Sequence, residues 1–465
     1  MAGALHELDA TALAAAIRAG EASSLEAVRA LHERIASVGA AVNGVVALAS
    51  DAEERARAAD AALARGEAVG PLHGVPFTAK DTLDTAGLRT TRGSLLFADH
   101  VPGEDATAVA RLREAGGILL GKTNTPEFAL WWETDNRVYG RTLNPWDGTR
   151  TSAGSSGGEA AALAARLTPL GLGSDLGGSI RIPAGTCGVV GLKPTHGLVP
   201  LTGHFPEAIL RFMHVGPMAR TVRDAALALS LLAGPDGRDW HCVPAPRPSA
   251  DLAPAFPLRI AILDAFGPTE PEVTAAVAAA GEALAARGHR VEQVDAPWLA
   301  SRDCNLLTIR LYGAEGGGFF GPLVTGREDD LHWFLQRRLG LPRATLDEYL
   351  AAEADVEALR QGITGLLREH DAILCPVCPA PAQPHDQEQL VIGGEALPPR
   401  TIMRATIPFD LTGSPAIAVP WALGEAGLPI GVQVVGRRFE DELVLRLALA
   451  VEADADPRVL AGPSL

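Results

Sequence analysis

The chain has 465 residues with 40 Lys and Arg against 56 Asp and Glu, a formal net charge of −16, and such an acidic balance argues against a polyanionic partner, so nucleic acid is not expected as a ligand. Hydrophobic residues at 47% and charged residues at 21% describe a folded globular protein rather than a disordered one. No apolar run approaches the eighteen or so residues of a membrane span, and the first ten residues carry Glu7 and Asp9 without a basic leader, so a cytoplasmic protein that does not engage membranes is expected.

In chain order, the spacing predicts a first helix from Leu13 to Ala19, stopped by Gly20. A second starts at Ser23, where Glu26 completes a capping box. Ser50 and Glu53 repeat that box before an alanine-rich helix ending near Gly66. Val75 to Lys80 alternates like a strand and places Lys80 at its end. Residues 104–116 form an amphipathic helix followed by the apolar strand Ile118-Leu-Leu120. Gly116, Gly121, Lys122 and Thr123 match the phosphate-loop spacing, but a helix precedes them and the intervening residues are apolar, so that reading is rejected. Between Glu127 and Gly140 stand Phe128, Trp131, Trp132 and Tyr139, in a chain with only 5% aromatics. Phe128, Ala129 and Trp131, with Gly154 further on, are expected to border a bound acyl or aryl group, with core packing as the plainer role for the aromatics.

The densest signal follows. Thr151-Ser-Ala-Gly-Ser-Ser-Gly-Gly158 and Gly171-Leu-Gly-Ser-Asp-Leu-Gly-Gly-Ser-Ile-Arg-Ile-Pro183 combine glycines with hydroxyls, as where backbone turns tightly against a ligand. Ser179, just after Gly177 and Gly178, reads as a nucleophile beside uncovered backbone N–H groups, an oxyanion hole drawn from Leu176, Gly177, Gly178 and Ser179 itself. Ser155 reads as a hydroxyl that relays its proton to a base. Gly154-Ser-Ser-Gly-Gly158 also fits the G-x-S-x-G elbow with Ser156 central, but Asn144 to Arg150 is not the strand that an elbow requires. Asp175 and Arg181 flank Ser179 and are expected to pair and hold its loop. A helix from about Glu159 to Arg166, strands from Thr168 to Gly173 and Val189 to Lys193, and a helix from Ala225 to Ala233 capped by Thr221 with Asp224 complete this half.

Residues 234–239 and 244–257 read as linker. Beyond them a strand (258–263), a helix (271–287) and a strand (291–294) alternate as in a sheet covered on both faces. Residues 300–365 read as helical, broken at Gly316-Gly-Gly-Phe-Phe320 near the substrate. Strands at 416–419 and 429–435 precede a last helix at 439–453. The five cysteines are an odd, scattered set, and Cys375-Pro-Val-Cys378 reads as buried small residues rather than a metal or redox pair. The expected fold is α/β: one α/β/α sandwich around a large mixed β-sheet, spanning 1–465 as a single domain.

These residues resemble the amidase signature family, strongly from about Leu72 through Arg223 and more loosely at Gly413-Ser-Pro-Ala and Leu428-Pro-Ile-Gly-Val-Gln433. The resemblance puts the core at 65–235 and 405–455 and leaves 240–400 as a less recognisable, substrate-facing stretch. It implies a Ser-cis-Ser-Lys triad with Ser179 as nucleophile, Ser155 as bridging serine and Lys80, in Gly74-Val-Pro-Phe-Thr-Ala-Lys-Asp81, as base. The implied activity is hydrolysis of a carboxylic amide, with anilides, esters or hydrazides also open, through an acyl-Ser179 intermediate and without metal or cofactor. The expected partners are a small-molecule amide and, at most, a second copy of the chain as a homodimer. The alternative is the glutaminase component of a tRNA-dependent amidotransferase, against which the acidic balance and the aromatic cluster count. A non-catalytic scaffold would require loss of a triad residue. Ala153, where the family usually has glycine, and His196, where tyrosine often follows Lys-Pro-Thr, depart from the pattern.

Overall fold

The computed structural model describes residues 2–253 and 257–465. The strands run β1 (Val45–Leu48), β2 (Pro76–Lys80), β3 (Ile118–Thr123), β4 (Leu170–Asp175), β5 (Val190–Lys193), β6 (His214–Ala219), β7 (Arg259–Leu263), β8 (Arg290–Val294), β9 (Ala372–Pro376), a separate hairpin of β10 (Leu390–Ile392) and β11 (Glu395–Leu397), then β12 (Ala416–Leu423) and β13 (Pro429–Val435). All but the hairpin join one 11-stranded sheet in the order β1-β3-β2-β4-β6-β5-β12-β13-β9-β7-β8. The sheet is mixed. β2 is parallel to β3 and β4 on its two sides, and β7 is parallel to β8 and β9, while the central pairs from β4 to β9 are antiparallel. Parallel neighbours need crossovers, and the helices Thr107–Glu114 and Gly157–Ala164 provide them around β2.

Alternation along the strands sorts side chains between the two faces. Phe77 and Ala79 of β2, Leu170 and Leu172 of β4, and Val432 and Val434 of β13 enter one large core. That core packs under the helices Ala10–Ala19, Val222–Leu232, Pro271–Ala286 and Asp441–Asp454. Ile373 and Cys375 of β9 point to the other face, beneath the helices Cys304–Val324 and Leu346–Glu369. The middle stretch therefore divides: β7, β8 and β9 belong to the sheet, and the helices after Asp303 and the segment around Arg400 face the cavities described below.

Local capping was legible where nothing competes for it. Ser23 and Glu26 form the reciprocal box at the start of Ser24–Val42. The second expected box does not form. Asp51 is the cap of Ala52–Ala64 and makes no side-chain cap bond, because its carboxylate is taken by Arg55 at 2.5 Å, while Glu53 is drawn to Arg57 at 2.7 Å. Thr221 caps its helix three residues earlier than expected, at Val222, and the Asp224 carboxylate instead receives the N–H groups of Ala10 and Thr11.

The glycine run at 316–318 is not a break. The helix Cys304–Val324 passes straight through it, because the missing side chains let neighbours approach: a Cβ on Gly316 would meet the Phe320 ring at 3.1 Å and one on Gly317 the Arg343 guanidinium at 2.9 Å. Tertiary contact thus overrides a helix penalty of about 1 kcal/mol per glycine. Among the described residues the linker-like stretch before β7 carries no helix or strand; residues 254–256 of it lie outside the described residues. No helix among the described residues is long and apolar enough to cross a membrane.

Candidate active site

β2 delivers the lysine. With Phe77 and Ala79 in the large core, alternation sends Thr78 and Lys80 to the opposite face, under the buried helix Gly157–Ala164. Lys80 Nζ lies 2.6 Å from Ser155 Oγ, 3.0 Å from Ser174 Oγ and 3.4 Å from the Ser174 carbonyl, with no exposed surface. Burial pulls its ammonium down to about 7, opposed by the negative charge of Asp175 and Glu159. Glu159 is fully buried too, accepting from Thr78 Oγ1 at 2.5 Å and Thr123 Oγ1 at 2.8 Å, and burial raises it to about 7. By sequence alone Glu159 is no more than the start of an alanine helix. The signal was Gly171 on the facing strand, where a Cβ would collide with the Glu159 carboxylate.

Ser155 follows a cis peptide from Gly154, and Ala153 before it has φ 59°, the left-handed conformation that a glycine adopts freely. Ala153 thus fills a glycine's place in shape, and its carbonyl accepts from Thr134 Oγ1 at 2.8 Å. Ser156, the elbow alternative, is occupied structurally: its N–H donates to the Ser179 carbonyl at 3.0 Å and its hydroxyl to the Ser174 carbonyl at 3.3 Å. It therefore ties the two glycine turns together. No strand precedes it from 144 to 150.

Ser179 is half-buried and borders a cavity, unlike the enclosed Ser155 and Lys80. Its turn is held by Asp175 and Arg181, both without exposed surface. Arg181 Nε and Nη2 reach the two oxygens of Asp175 at 3.0 and 3.1 Å, Nη2 also reaches Asp410 at 2.7 Å, and Nη1 donates to the Thr406 carbonyl and the Gln433 amide oxygen. All five guanidinium donors thus find acceptors. Although burial alone would raise Asp175, the adjacent Arg181 holds it well below the ordinary carboxylate range; burial, and then the Asp175 charge, push Asp410 well above it.

One expected oxyanion donor is taken. Gly178, at φ 118°, points its N–H into the Asp175 carboxylate at 2.5 Å. Leu176, Gly177 and Ser179 have no acceptor for their N–H groups among the described residues. Leu176 is fixed by Tyr312, whose hydroxyl donates to its carbonyl at 2.8 Å.

Of the four residues expected at the pocket, two line the cavity that Ser179 borders and two do not. Ala129 and Trp131 line the cavity with Ser179, Leu176 and Gly177, together with Trp132, Tyr312, Arg338, Arg400 and Met403. Phe128 turns away, fully buried against Phe320 (5.7 Å, stacked), Phe97 and Phe205. Gly154 backs onto the chain at 131–133, where a Cβ would meet backbone at 3.1 Å. Through Leu130, Tyr312 and Arg338 this space adjoins a larger cavity of about 450 Å³, walled by Ile209, Phe320, Val324 and Leu331.

Elsewhere, Lys122 is buried inside β3 with its ammonium on the Leu83 carbonyl, and burial lowers it to about 8. Cys375 and Cys378 are buried, and burial raises both thiols to about 12. His196 Nε2 donates to the Leu210 carbonyl at 2.9 Å and its ring meets His214 and His241 edge-on; burial lowers it to about 4, so its ring is neutral packing.

A family model described as Amidase matches residues 26–445. The chain belongs to the amidase signature family. It is 36% identical over 483 aligned residues to the A subunit of glutamyl-tRNA(Gln) amidotransferase from Roseiflexus sp. (strain RS-1), covering 97% of each chain. Its fold superposes on a bacterial aryl acylamidase of the amidase signature family with a TM-score of 0.90 at 26% identity, covering 99% of this chain and 100% of that one. The A subunit of glutamyl-tRNA(Gln) amidotransferase from Thermotoga maritima gives 0.76 at 28% identity, over 97% and 95% of the two chains. The family's mixed α/β architecture is the one expected from the sequence.

Proposed function

We propose that this amidase hydrolyses a linear carboxylic amide through an acyl-Ser179 intermediate, with Ser155 as proton relay and Lys80 as base. The observation that carries the reading is the fully buried Lys80 with its nitrogen 2.6 Å from Ser155 Oγ. An ammonium lowered from about 10.4 to near 7 is substantially neutral at physiological pH, and each tenfold change in that protonation equilibrium costs roughly 1.4 kcal/mol.

Neutral Lys80 takes the Ser155 proton as Ser155 takes that of Ser179, and Ser179 Oγ attacks the amide carbon. The carbonyl π pair moves onto oxygen, received by the N–H groups of Leu176, Gly177 and Ser179 while Gly178 serves the turn instead. Collapse breaks the C–N bond as Ser155 gives its proton to the leaving amine and takes one back from Lys80, which is neutral again. Water then attacks the acyl carbon, its proton passing through Ser155 to Lys80; collapse breaks the bond from that carbon to Ser179 Oγ, which takes the proton back through Ser155 as the acid leaves.

The second reading is a glutamine-hydrolysing component of an amidotransferase, favoured by the names of the curated relatives. Against it stands the closer fit of the fold to the aryl acylamidase than to the Thermotoga protein. The purified chain alone is expected to release aniline from anilides, with kcat/KM rising as pH passes through about 7. The sign follows from Lys80, whose protonated form cannot accept a proton; Glu159 beside it titrates in the same range, so the midpoint belongs to the pair. Release of ammonia from glutamine with anilides left intact would support the amidotransferase reading, and a rate flat down to pH 5 would remove Lys80 as base.

A further inference from the structure

Three successive carbonyls of the Ser179 turn each receive a side chain from a different element. Thr406 Oγ1 donates to the Gly177 carbonyl at 2.8 Å, Tyr312 Oη to that of Leu176 at 2.8 Å, and the His214 ring approaches that of Asp175 with Nδ1 at 3.3 Å. None of these peptides is cis, and a trans peptide points its C=O and N–H in opposite directions, so whatever holds the carbonyl of one residue also aims the N–H of the next. The N–H groups on the far side are those of Leu176, Gly177 and Gly178. Gly178 serves Asp175, and the other two have no acceptor among the described residues. His214 therefore stands behind the Leu176 N–H. It lies opposite Asp175 in the β4–β6 pairing, is 3% exposed and lines neither the small cavity beside Ser179 nor the larger one.

The tautomer of His214 can be read from both of its nitrogens. A carbonyl oxygen only accepts, so Nδ1 carries the ring proton and Nε2 is left as an acceptor. Lys193 Nζ, 3.2 Å from Nε2 and 2.6 Å from the Ser414 carbonyl, has a proton for each, whether it is an ammonium or a neutral amine. Burial and the charge of Lys193 hold the ring well below the ordinary histidine range, so it has one N–H to give. The Asp410 carboxyl stands farther from Nδ1, at 3.5 Å, and the His196 ring meets that of His214 edge-on. A hydrogen bond at a carbonyl also polarises its own peptide, which makes the N–H on the far side a stronger donor. We infer that His214 is a positioning residue for the oxyanion: its Nδ1–H holds the Asp175 carbonyl and, through that peptide, aims the Leu176 N–H at the oxygen that turns negative when Ser179 attacks. The inference rests on the amidase reading for its reaction and on the His214 geometry for the residue.

The test compares His214→Asn with His214→Gln. The asparagine amide nitrogen falls near the place of Nδ1 and still donates to the Asp175 carbonyl, whereas the glutamine amide falls near the place of Nε2, beside Lys193. Both variants are smaller than the ring and keep one polar link each, so they differ in the carbonyl link. His214→Gln is expected to lower kcat by about 10- to 100-fold with KM within about twofold, short of the 10²–10³ lost when an oxyanion donor is removed outright. His214→Asn should keep most of the parent's kcat. The loss should be equal for an anilide and its matched nitrophenyl ester, since both pass through the oxyanion, which separates it from a broken proton relay. A second readout needs no turnover: a phenylalkyl trifluoromethyl ketone adds to Ser179 as a hemiketal, whose pKa by fluorine NMR should stand about one to two units higher in His214→Gln than in the parent, each tenfold being one unit. If the glutamine variant does not fold, His214→Leu, which has the shape of asparagine without its donor, takes its place in both measurements. Equal kcat in the asparagine variant and its donor-less counterpart, or an unmoved hemiketal pKa, overturns the inference and leaves the amidase reading standing. A parent that turns over neither substrate and forms no adduct at Ser179 overturns the amidase reading, and this inference with it.

Discussion

Ser155→Ala lowers kcat/KM for an anilide by roughly a thousandfold and for the matched nitrophenyl ester by much less, within the 10²–10⁴ that positioned acid–base groups contribute. The asymmetry follows from the leaving group. An anilide nitrogen must be protonated to depart, and in this site the proton held between Lys80 Nζ and Ser155 Oγ is the one at hand. Nitrophenolate leaves unaided, so its ester needs only the deprotonation of Ser179. The variant keeps Ser179, the free N–H groups of its turn and the Asp175–Arg181 brace, so the loss reports proton transfer alone. Lys80→Ala should show the same bias. Equal losses on both substrates would mean that Ser155 only packs, with Lys80 acting through water.

Arg181→Met is expected to cost about 3–5 kcal/mol of stability, read as a lower urea midpoint, because it strands the fully buried Asp175 carboxylate and removes the donor that Asp410 shares. The loss should also shrink in acid. In the native protein Asp175 is held low by Arg181, so its pairing contributes stability above the usual carboxylate pKa that is lost as pH falls. Without the guanidinium, burial favours the protonated acid, and low pH removes the penalty. A variant as stable as the parent at neutral pH would show that Thr406 and Gln433 hold the turn without the ion pairs. The same substitution should impair turnover, since Asp175 anchors Gly178 and so sets the direction of the neighbouring N–H groups.

What could be read from the sequence was what local chemistry decides. Ser23 and Glu26 cap a helix because their partners are three residues apart, whereas the Ser50 box gives way to Arg55 and Arg57, which take the carboxylates of Asp51 and Glu53. The strand before Lys80 was legible from alternation, but the chemistry of Lys80 came through family resemblance, since its burial depends on a helix supplied from 157–164. Trp131 and Phe128 could not be told apart by spacing: Phe128 and Ala129 have φ 57° and 58°, which turns the chain so that neither helical nor strand periodicity applies. Arg338 and Arg400 stayed invisible because only the folded middle stretch brings them to one cavity.

The proposed mechanism turns on acylation of Ser179. Treatment with a serine-directed fluorophosphonate, followed by peptide mapping, should place a single label on Ser179 and none on the Ser179→Ala variant. Ser155 and Ser156, enclosed and hydrogen-bonded, should remain unmodified. A label on Ser156 would contradict the acyl-Ser179 mechanism and restore the nucleophile elbow in its place.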